Sequence, residues 1–352
     1  MDISSGPDRS AAEAGEFVAA NAGDGVLSVE PLSAWNSGVF RVFLRGGGTV
    51  IVKSYGEGRK ERADVEFRAL RFLGANGLKR VPAPLFRSPD GSLCAYGELE
   101  GRKLRPEQIG RRETGSAVSL LAEIAALSSS PGAEALPAAA EACFTVDGYL
   151  LNVDRRLDSL RGAAASGGYA ELSAFLDEAA VFRKEAAGYA RKACAARGLL
   201  PGAELRREAR ILSPSDVGFH NILTDEGGTA RFVDFEYFGW DDPAKTAADF
   251  ILEPAVPFPA GLRGFFLERF AESVPVDPDF RKRLSVIFPL LGLKWALIML
   301  NDFLPSSPRR RAMTAGELGT HLAGQLGKAG AMLRSVAAQY AEFAVLAAGA
   351  AA

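Results

Sequence analysis

Histidine is nearly missing from this chain: two, His220 and His321, among 352 residues. Cysteine is scarce too, with Cys94, Cys143 and Cys194 far apart and in no CxxC pair. These shortages argue against the usual zinc ligand sets and against a disulfide framework. Charge of one sign is also lacking. The formal net charge is −2, so no broad basic field exists to hold nucleic acid or an anionic membrane. The run Pro308-Arg309-Arg310-Arg311 is the local exception, and a short run of this kind reads as solvated loop. The start, Met1-Asp2-Ile3-Ser4-Ser5, has no basic segment followed by an apolar one, the pattern of a secretory signal. The most apolar stretch, Leu284 to Leu300, contains Lys294 and reads as too short for a membrane span. The cytoplasm is the expected compartment.

What is present suits a globular protein of two lobes. Apolar residues make up 48% and charged ones 24%, ordinary values, and the length exceeds one usual domain. Residues 1–24 read as frayed or as a short helix. Strand patterns follow at Val26–Glu30, Val39–Leu44 and Thr49–Lys53, the last two joined through Gly46-Gly47-Gly48. A charged amphipathic helix is predicted from about Arg59 to Leu73, with Val65, Ala69, Phe72 and Leu73 at helical spacing. Val81-Pro82-Ala83-Pro84 breaks the pattern, and Leu93–Leu99 is a further strand. Beyond residue 100 the texture is mostly helical, as at Ser116–Ser128 and Ala170–Ala196. One β-rich island, Ile211 to Phe235, interrupts it. A small β-rich lobe (residues 1–97) followed by a larger helical lobe (98–352) is an α+β arrangement, with a ligand expected in the cleft between them.

The island holds the most informative residues. Asp216 is followed five positions later by Asn221, and a turn at Asp225-Glu226-Gly227-Gly228 leads into Ala230-Arg231-Phe232-Val233-Asp234-Phe235-Glu236, read as one strand. Phosphoryl transfer needs such a set: a carboxylate to accept the proton of the attacking hydroxyl, and an amide oxygen with a second carboxylate to hold Mg²⁺. Hard oxygen ligands suit that ion.

Here the chain resembles the aminoglycoside phosphotransferase and choline kinase family, distant relatives of protein kinases, over roughly residues 25–250. That family's loop runs His-Gly-Asp, a few residues, Asn, then Ile/Val-Asp-Phe/Trp, and Asp216, Asn221 and Asp234 match it. Gly239-Trp240-Asp241-Asp242-Pro243 resembles its Gly-Asp-Pro segment, with Asp242 capping the next helix. The resemblance implies a bilobal protein-kinase-like fold and transfer of the γ-phosphate of ATP, or GTP, to a hydroxyl of a sugar-like or amino-alcohol metabolite. Asp216 is then the base, and Asn221 and Asp234 are the metal ligands. Lys53, in Val-Ile-Val-Lys, is the phosphate-holding lysine and Glu66 its ion-pair partner. Ser37 and Gly38 belong to the phosphate-covering turn, where Trp35 also lies. Glu98 and Leu99 form the adenine-contacting hinge, which works through backbone groups. The family's His-Gly is replaced by Pro214-Ser215 and its second histidine by Gly218, with His220 beside Asn221 instead. These departures mark a divergent branch and motivate an alternative, a nucleotide-binding pseudokinase that acts as a partner-binding module.

Taken singly, each residue has an ordinary reading, a turn for Asp216 and Asn221 or a surface lysine for Lys53. Order and spacing together favour the kinase. His220 is expected to pack or bond within its loop, since the carboxylate already serves as base. Glu236, Tyr237, Asp241, Trp295, Asn301 and Asp302 are candidates for the acceptor side. Basic residues outnumber acidic ones over 260–340, from which a neutral or anionic acceptor is expected.

Overall fold

In the computed structural model, residues 7–32, 38–307, 309–310 and 313–348 are described. The expectations at Trp35 and Ser37, and at Pro308 and Arg311 of the basic run, fall outside them. The N-terminal half-lobe is an antiparallel sheet in the order β1 (Val26–Leu32), β2 (Gly38–Leu44), β3 (Thr49–Ser54), β5 (Leu93–Gly97), β4 (Pro84–Arg87). Alternation along these strands divides their side chains between two faces. Phe40, Val42, Val50, Val52 and Ala95 cluster on one face with Ala14 and Val18 of helix α1 (Pro7–Asn21). Sealing Val18 completely contributes about 1.5–3 kcal/mol, which is why the alanine-rich start is a docked helix of four turns. Ile51 and Lys53, at the intervening positions, belong to the opposite face, where helix α2 (Lys60–Ala75) packs.

The buried face of α2 differs from the expected one. Ala63, Glu66, Phe67, Ala69, Leu70 and Leu73 are buried, whereas Val65 and Phe72 are only partly covered. A buried carboxylate in the middle of the stripe hides the true face from any reading by hydrophobicity.

The rest of the chain is helical: α3 (Arg111–Ala126), α4 (Val146–Gly167), α5 (Ala170–Arg197), α6 (Pro243–Leu252), α7 (Arg263–Ser273), α8 (Phe280–Ile298) and α9 (Ala315–Ala348). Helix α3 begins earlier than expected because Glu113 accepts from the Gly110 N–H at 3.0 Å, closing its first turn. Helix α8 is the axis of this lobe and packs against α4, α5, α6 and α9. Counted to Phe303 the segment is long and apolar enough to cross a membrane, contrary to the sequence expectation, but 83% of its apolar 18-residue stretch is buried inside the fold. Its apolar surface is spent on neighbouring helices.

Between the helices lie two short hairpin-like pairs. β6 (Ile211–Ser213) pairs with β9 (Gly239–Asp241), and β7 (Ile222–Thr224) with β8 (Ala230–Phe232). The strand expected to run through Glu236 ends at Phe232, because Asp234 adopts φ +69°, which breaks the ladder. Gly239 is required by close approach: a Cβ there would lie 2.5 Å from the Pro137 carbonyl oxygen and the Ala139 nitrogen. That contact seats the 137–140 segment against β9.

Candidate active site

A charged cluster lies where the two lobes meet. Lys53 Nζ lies 2.7 Å from Glu66 Oε1 and 3.1 Å from Asp234 Oδ1. Glu66 is 1% exposed, and its carboxylate also accepts from the Tyr55 hydroxyl and from the Phe235 N–H at 3.2 Å. A buried carboxylate with a donor on every side holds one orientation. It therefore fixes Lys53 from the sheet side and the Asp234-Phe235 turn from the helical side. Burial would raise the Asp234 carboxyl, but the Lys53 ammonium outweighs it and holds it below the usual carboxylate range. Burial likewise opposes the Lys53 charge, and Asp234 and Glu66 together lift it above the ordinary lysine value.

The loop after β6 supplies Asp216 and Asn221. The Asn221 Nδ2 donates to the Asp216 carbonyl at 3.1 Å and to its Oδ2 at 3.3 Å. Because the amide nitrogen is turned to Asp216, Asn221 offers Oδ1 as its acceptor atom. Asp234 likewise spends Oδ1 on Lys53 and has Oδ2 as a second oxygen. Two hard oxygens fit Mg²⁺, which completes its shell with water and phosphate oxygens rather than a protein cage. The described residues contain no cluster of three or more His, Cys, Asp or Glu that could hold a metal by itself.

His220 bonds within its loop, as expected, and also reaches beyond it. Its Nε2 is 3.3 Å from Asp216 Oδ1, and its Nδ1 is 3.1 Å from Glu253 Oε2. Burial opposes its charge, yet the two carboxylates push it up to about 10. The imidazole occupies the space above Gly218, where an added Cβ would come within 2.8 Å of Nδ1. Glu253, just past α6, was not singled out by sequence because its partner lies 33 residues away.

At the expected hinge the backbone and the Glu98 side chain go different ways. Glu98 uses its side chain toward the sheet: Arg41 Nη2 lies 2.6 Å from Oε1, and the Thr49 hydroxyl donates to Oε2. β5 ends at Gly97, so the backbone of Glu98 and of half-buried Leu99 has left the ladder. Gly38 opens β2, paired with Ser54. Gly101, at φ +135°, would bring a Cβ within 3.0 Å of Leu223 Cβ and 3.1 Å of the Thr224 nitrogen. Only glycine permits the paired bonds between Arg102 and Thr224 that tie the hinge to the Asn221 hairpin. Next to it, Lys103 donates to the His220 carbonyl. Although the side chain is exposed, desolvation around its amine pushes it down to about 8, with Asp234 pulling the other way and Lys53 adding to the depression. Sequence reasoning passed over Lys103, since a lysine in a polar loop carries no pattern.

Of the residues expected on the acceptor side, Glu236 is 7% exposed and held by Arg59 at 2.6 Å and Arg62 at 3.2 Å. Arg62 also donates to the Tyr237 hydroxyl at 2.6 Å. These contacts join the start of α2 to the segment after Asp234. Asp241 does not face a cleft: it is fully buried against Lys245. Trp295 donates its Nε1 to Asp249 at 2.8 Å, and Asp302 is taken up by Ser307, Arg309 and His321, while Asn301 is exposed. Many of the basic residues over 260–340 are engaged within the fold. Arg269, Lys282, Arg283 and Lys294 pair with nearby carboxylates, and Arg281 and Arg310 bond to carbonyls.

A sheet lobe and a helical lobe, joined by a hinge and by a lysine–glutamate–aspartate cluster, define a kinase-like fold. The sequence model of the Phosphotransferase enzyme family matches residues 28–274, and the chain belongs to that family. It is a phosphotransferase by family. No curated protein matches it significantly. Solved structures similar to it include the choline kinase LicA from Streptococcus pneumoniae, at 17% identity and a TM-score of 0.60, covering 91% of this chain and 97% of that one. The spectinomycin phosphotransferase APH(9)-Ia is 12% identical with a TM-score of 0.61, over 91% and 98% of the two chains. A choline/ethanolamine kinase family protein from Mesorhizobium loti is 17% identical with a TM-score of 0.61, over 97% and 98%.

Proposed function

We propose that this chain transfers the γ-phosphoryl group of ATP, with GTP as a possible substitute, to a hydroxyl of a sugar-like or amino-alcohol metabolite. The observation behind this reading is the convergence of Lys53, Glu66 and Asp234 from three distant segments beside the Asp216–Asn221 pair. Asp216 accepts the proton of the acceptor hydroxyl as its oxygen attacks the γ-phosphorus, and the nucleoside diphosphate leaves. Lys53, held by Glu66, contacts the phosphates. Asn221 and Asp234 hold Mg²⁺, which when bound neutralises charge on the phosphate oxygens. Among the relatives, the spectinomycin phosphotransferase is seen with ADP and its antibiotic, and an amicoumacin kinase with AMP-PNP, Ca²⁺ and its antibiotic.

The test is nucleotide turnover by the purified protein with Mg·ATP and Mg·GTP over a panel of choline, ethanolamine, neutral sugars and sugar phosphates. Turnover with at least one acceptor, abolished in Asp216→Asn, is expected. Thermal stabilisation by Mg·ATP without turnover on any acceptor would instead favour a pseudokinase.

A further inference from the structure

Four ionisable side chains that the proposed transfer does not use are sealed inside the helical lobe. Asp241 ends β9, Lys245 and Asp249 lie one turn apart on α6, and Lys294 reaches in from α8. None is more than 5% exposed. Lys245 Nζ is 2.7 Å from Asp241 Oδ2 and 3.0 Å from Asp249 Oδ2, and Lys294 Nζ is 3.0 Å from Asp249 Oδ1. A buried ionic ladder of this kind is weak as a stabilising device, since well-packed apolar residues of equal volume do as well or better. Its further contact suggests what else it does. Lys245 Nζ donates to Ser215 Oγ at 3.1 Å, and Ser215 immediately precedes Asp216.

Ser215 has φ +66°, a region that residues with a Cβ avoid unless their surroundings hold them there. Its Oγ donates to the Ala140 carbonyl at 2.9 Å, and its N–H donates to Ser213 Oγ at 3.0 Å. Ser213 Oγ in turn lies 3.1 Å from Thr246 Oγ1. Two consecutive residues of α6, Lys245 and Thr246, thus grip both ends of Ser213-Pro214-Ser215. The Asp216 N–H closes back on the Pro214 carbonyl at 2.8 Å, so rotation at Ser215 swings the Asp216 side chain.

We propose that Lys245 is a positioning residue: anchored by Asp241 and Asp249, it holds Ser215 in the left-handed conformation and so aims the Asp216 carboxylate. This rests on the reading of Asp216 as the base. Burial opposes the Lys245 charge, and the two aspartates outweigh it, so the group that grips Ser215 is an ammonium.

The experiment compares Ser215→Ala, Ser215→Gly and Lys245→Met in the full chain. It reads Mg·ATP hydrolysis with water as acceptor, melting temperature, and hydrogen exchange of the peptide spanning 213–221. Lys245→Met strands the buried Asp241 carboxylate, while Asp249 keeps Lys294, and can fail to fold, whereas the Ser215 variants keep the ladder intact. Ser215→Ala still needs positive φ but has no hydroxyl to be held. Its turnover is expected to fall by about 10²-fold, the scale of a 1 Å misplacement, with KM for Mg·ATP unchanged and faster exchange confined to 213–221. Ser215→Gly adopts that φ freely and should lose much less. Equal losses in the two Ser215 variants, or wild-type exchange at 213–221 in Ser215→Ala, would overturn the proposal. Asp216→Asn is measured alongside: if it hydrolyses Mg·ATP like the wild type, the base reading fails, and the exchange data still decide the role of Lys245.

Discussion

Two charge clusters in this molecule are built from the same residue types and differ in how their charges are matched. In the cleft, Glu66 and Asp234 share the Lys53 ammonium, and the Asp234 side chain is 39% exposed. Inside the helical lobe, Asp241 and Asp249 face Lys245 and Lys294, and all four are sealed. The closed cluster is neutral because an unmatched charge in a dry interior would cost several kcal/mol. The open cluster keeps a carboxylate in excess, which can be tolerated where solvent reaches it. That excess is what a cation and its phosphates require. Mismatch at an accessible position is therefore a more local pointer to function than the number of charges in a segment such as residues 260–340.

The comparison can be broken by altering each cluster in turn. Asp216→Asn beside the open cluster should leave the fold and Mg·ATP binding intact while turnover drops by about 10²–10⁴-fold, the usual cost of removing a general base. Near-wild-type rates in a turnover assay would remove Asp216 from the chemistry. Asp249→Ala in the closed cluster should do the reverse kind of damage, lowering unfolding free energy by about 3–5 kcal/mol. Urea titration measures it, and a midpoint unchanged from wild type would show that the ladder is not sealed. Within the open cluster, Asp234→Ala should weaken nucleotide binding in Mg²⁺ at least about tenfold, or about 1.4 kcal/mol, and more than Lys53→Ala does. Titrations with and without Mg²⁺ separate the two, and equal losses in both would contradict the assigned roles.

Two smaller effects sharpen the contrast. Asp277 lies 2.6 Å from Arg283. Burial would raise its carboxyl, and the guanidinium outweighs this to hold it below the ordinary 3.8. A depressed carboxyl adds stability that is complete above its unfolded value and lost as pH falls through the folded one. The wild-type urea midpoint should therefore fall more than that of Asp277→Asn between about pH 5 and about pH 2. Parallel curves would dismiss the pair. The exposed Arg105–Glu107 contact is the lower limit, since solvated pairs contribute little: Glu107→Gln should not move the melting temperature.

Lys53, Glu66, Asp216, Asn221 and Asp234 could be noticed in the sequence because their order, their spacing and their strand or loop settings recur together. The cap at Asp242 was readable for the same local reason, and its side chain accepts from the Ala244 N–H at 2.9 Å. The docked α1 was not, since an alanine-rich stretch looks alike whether it frays or packs. Nor were Lys103, Glu253 and the ladder. A buried lysine and a surface lysine have the same letter, and only their neighbours differ.

By itself, then, the sequence determined what local chemistry dictates: strand alternation that puts Lys53 on the face opposite Val50 and Val52, helix periods and caps, and the types of group available. Tertiary structure decided which groups meet. Lys53 and Asp234 are 181 residues apart, and Lys245 and Ser215 are 30 apart. No local propensity encodes such pairings, because they form only when burial of the surrounding helices and sheet brings those backbones together. The left-handed turns at Ser215 and Asp234 have the same origin, since each is a conformation its own residue disfavours and its surroundings impose.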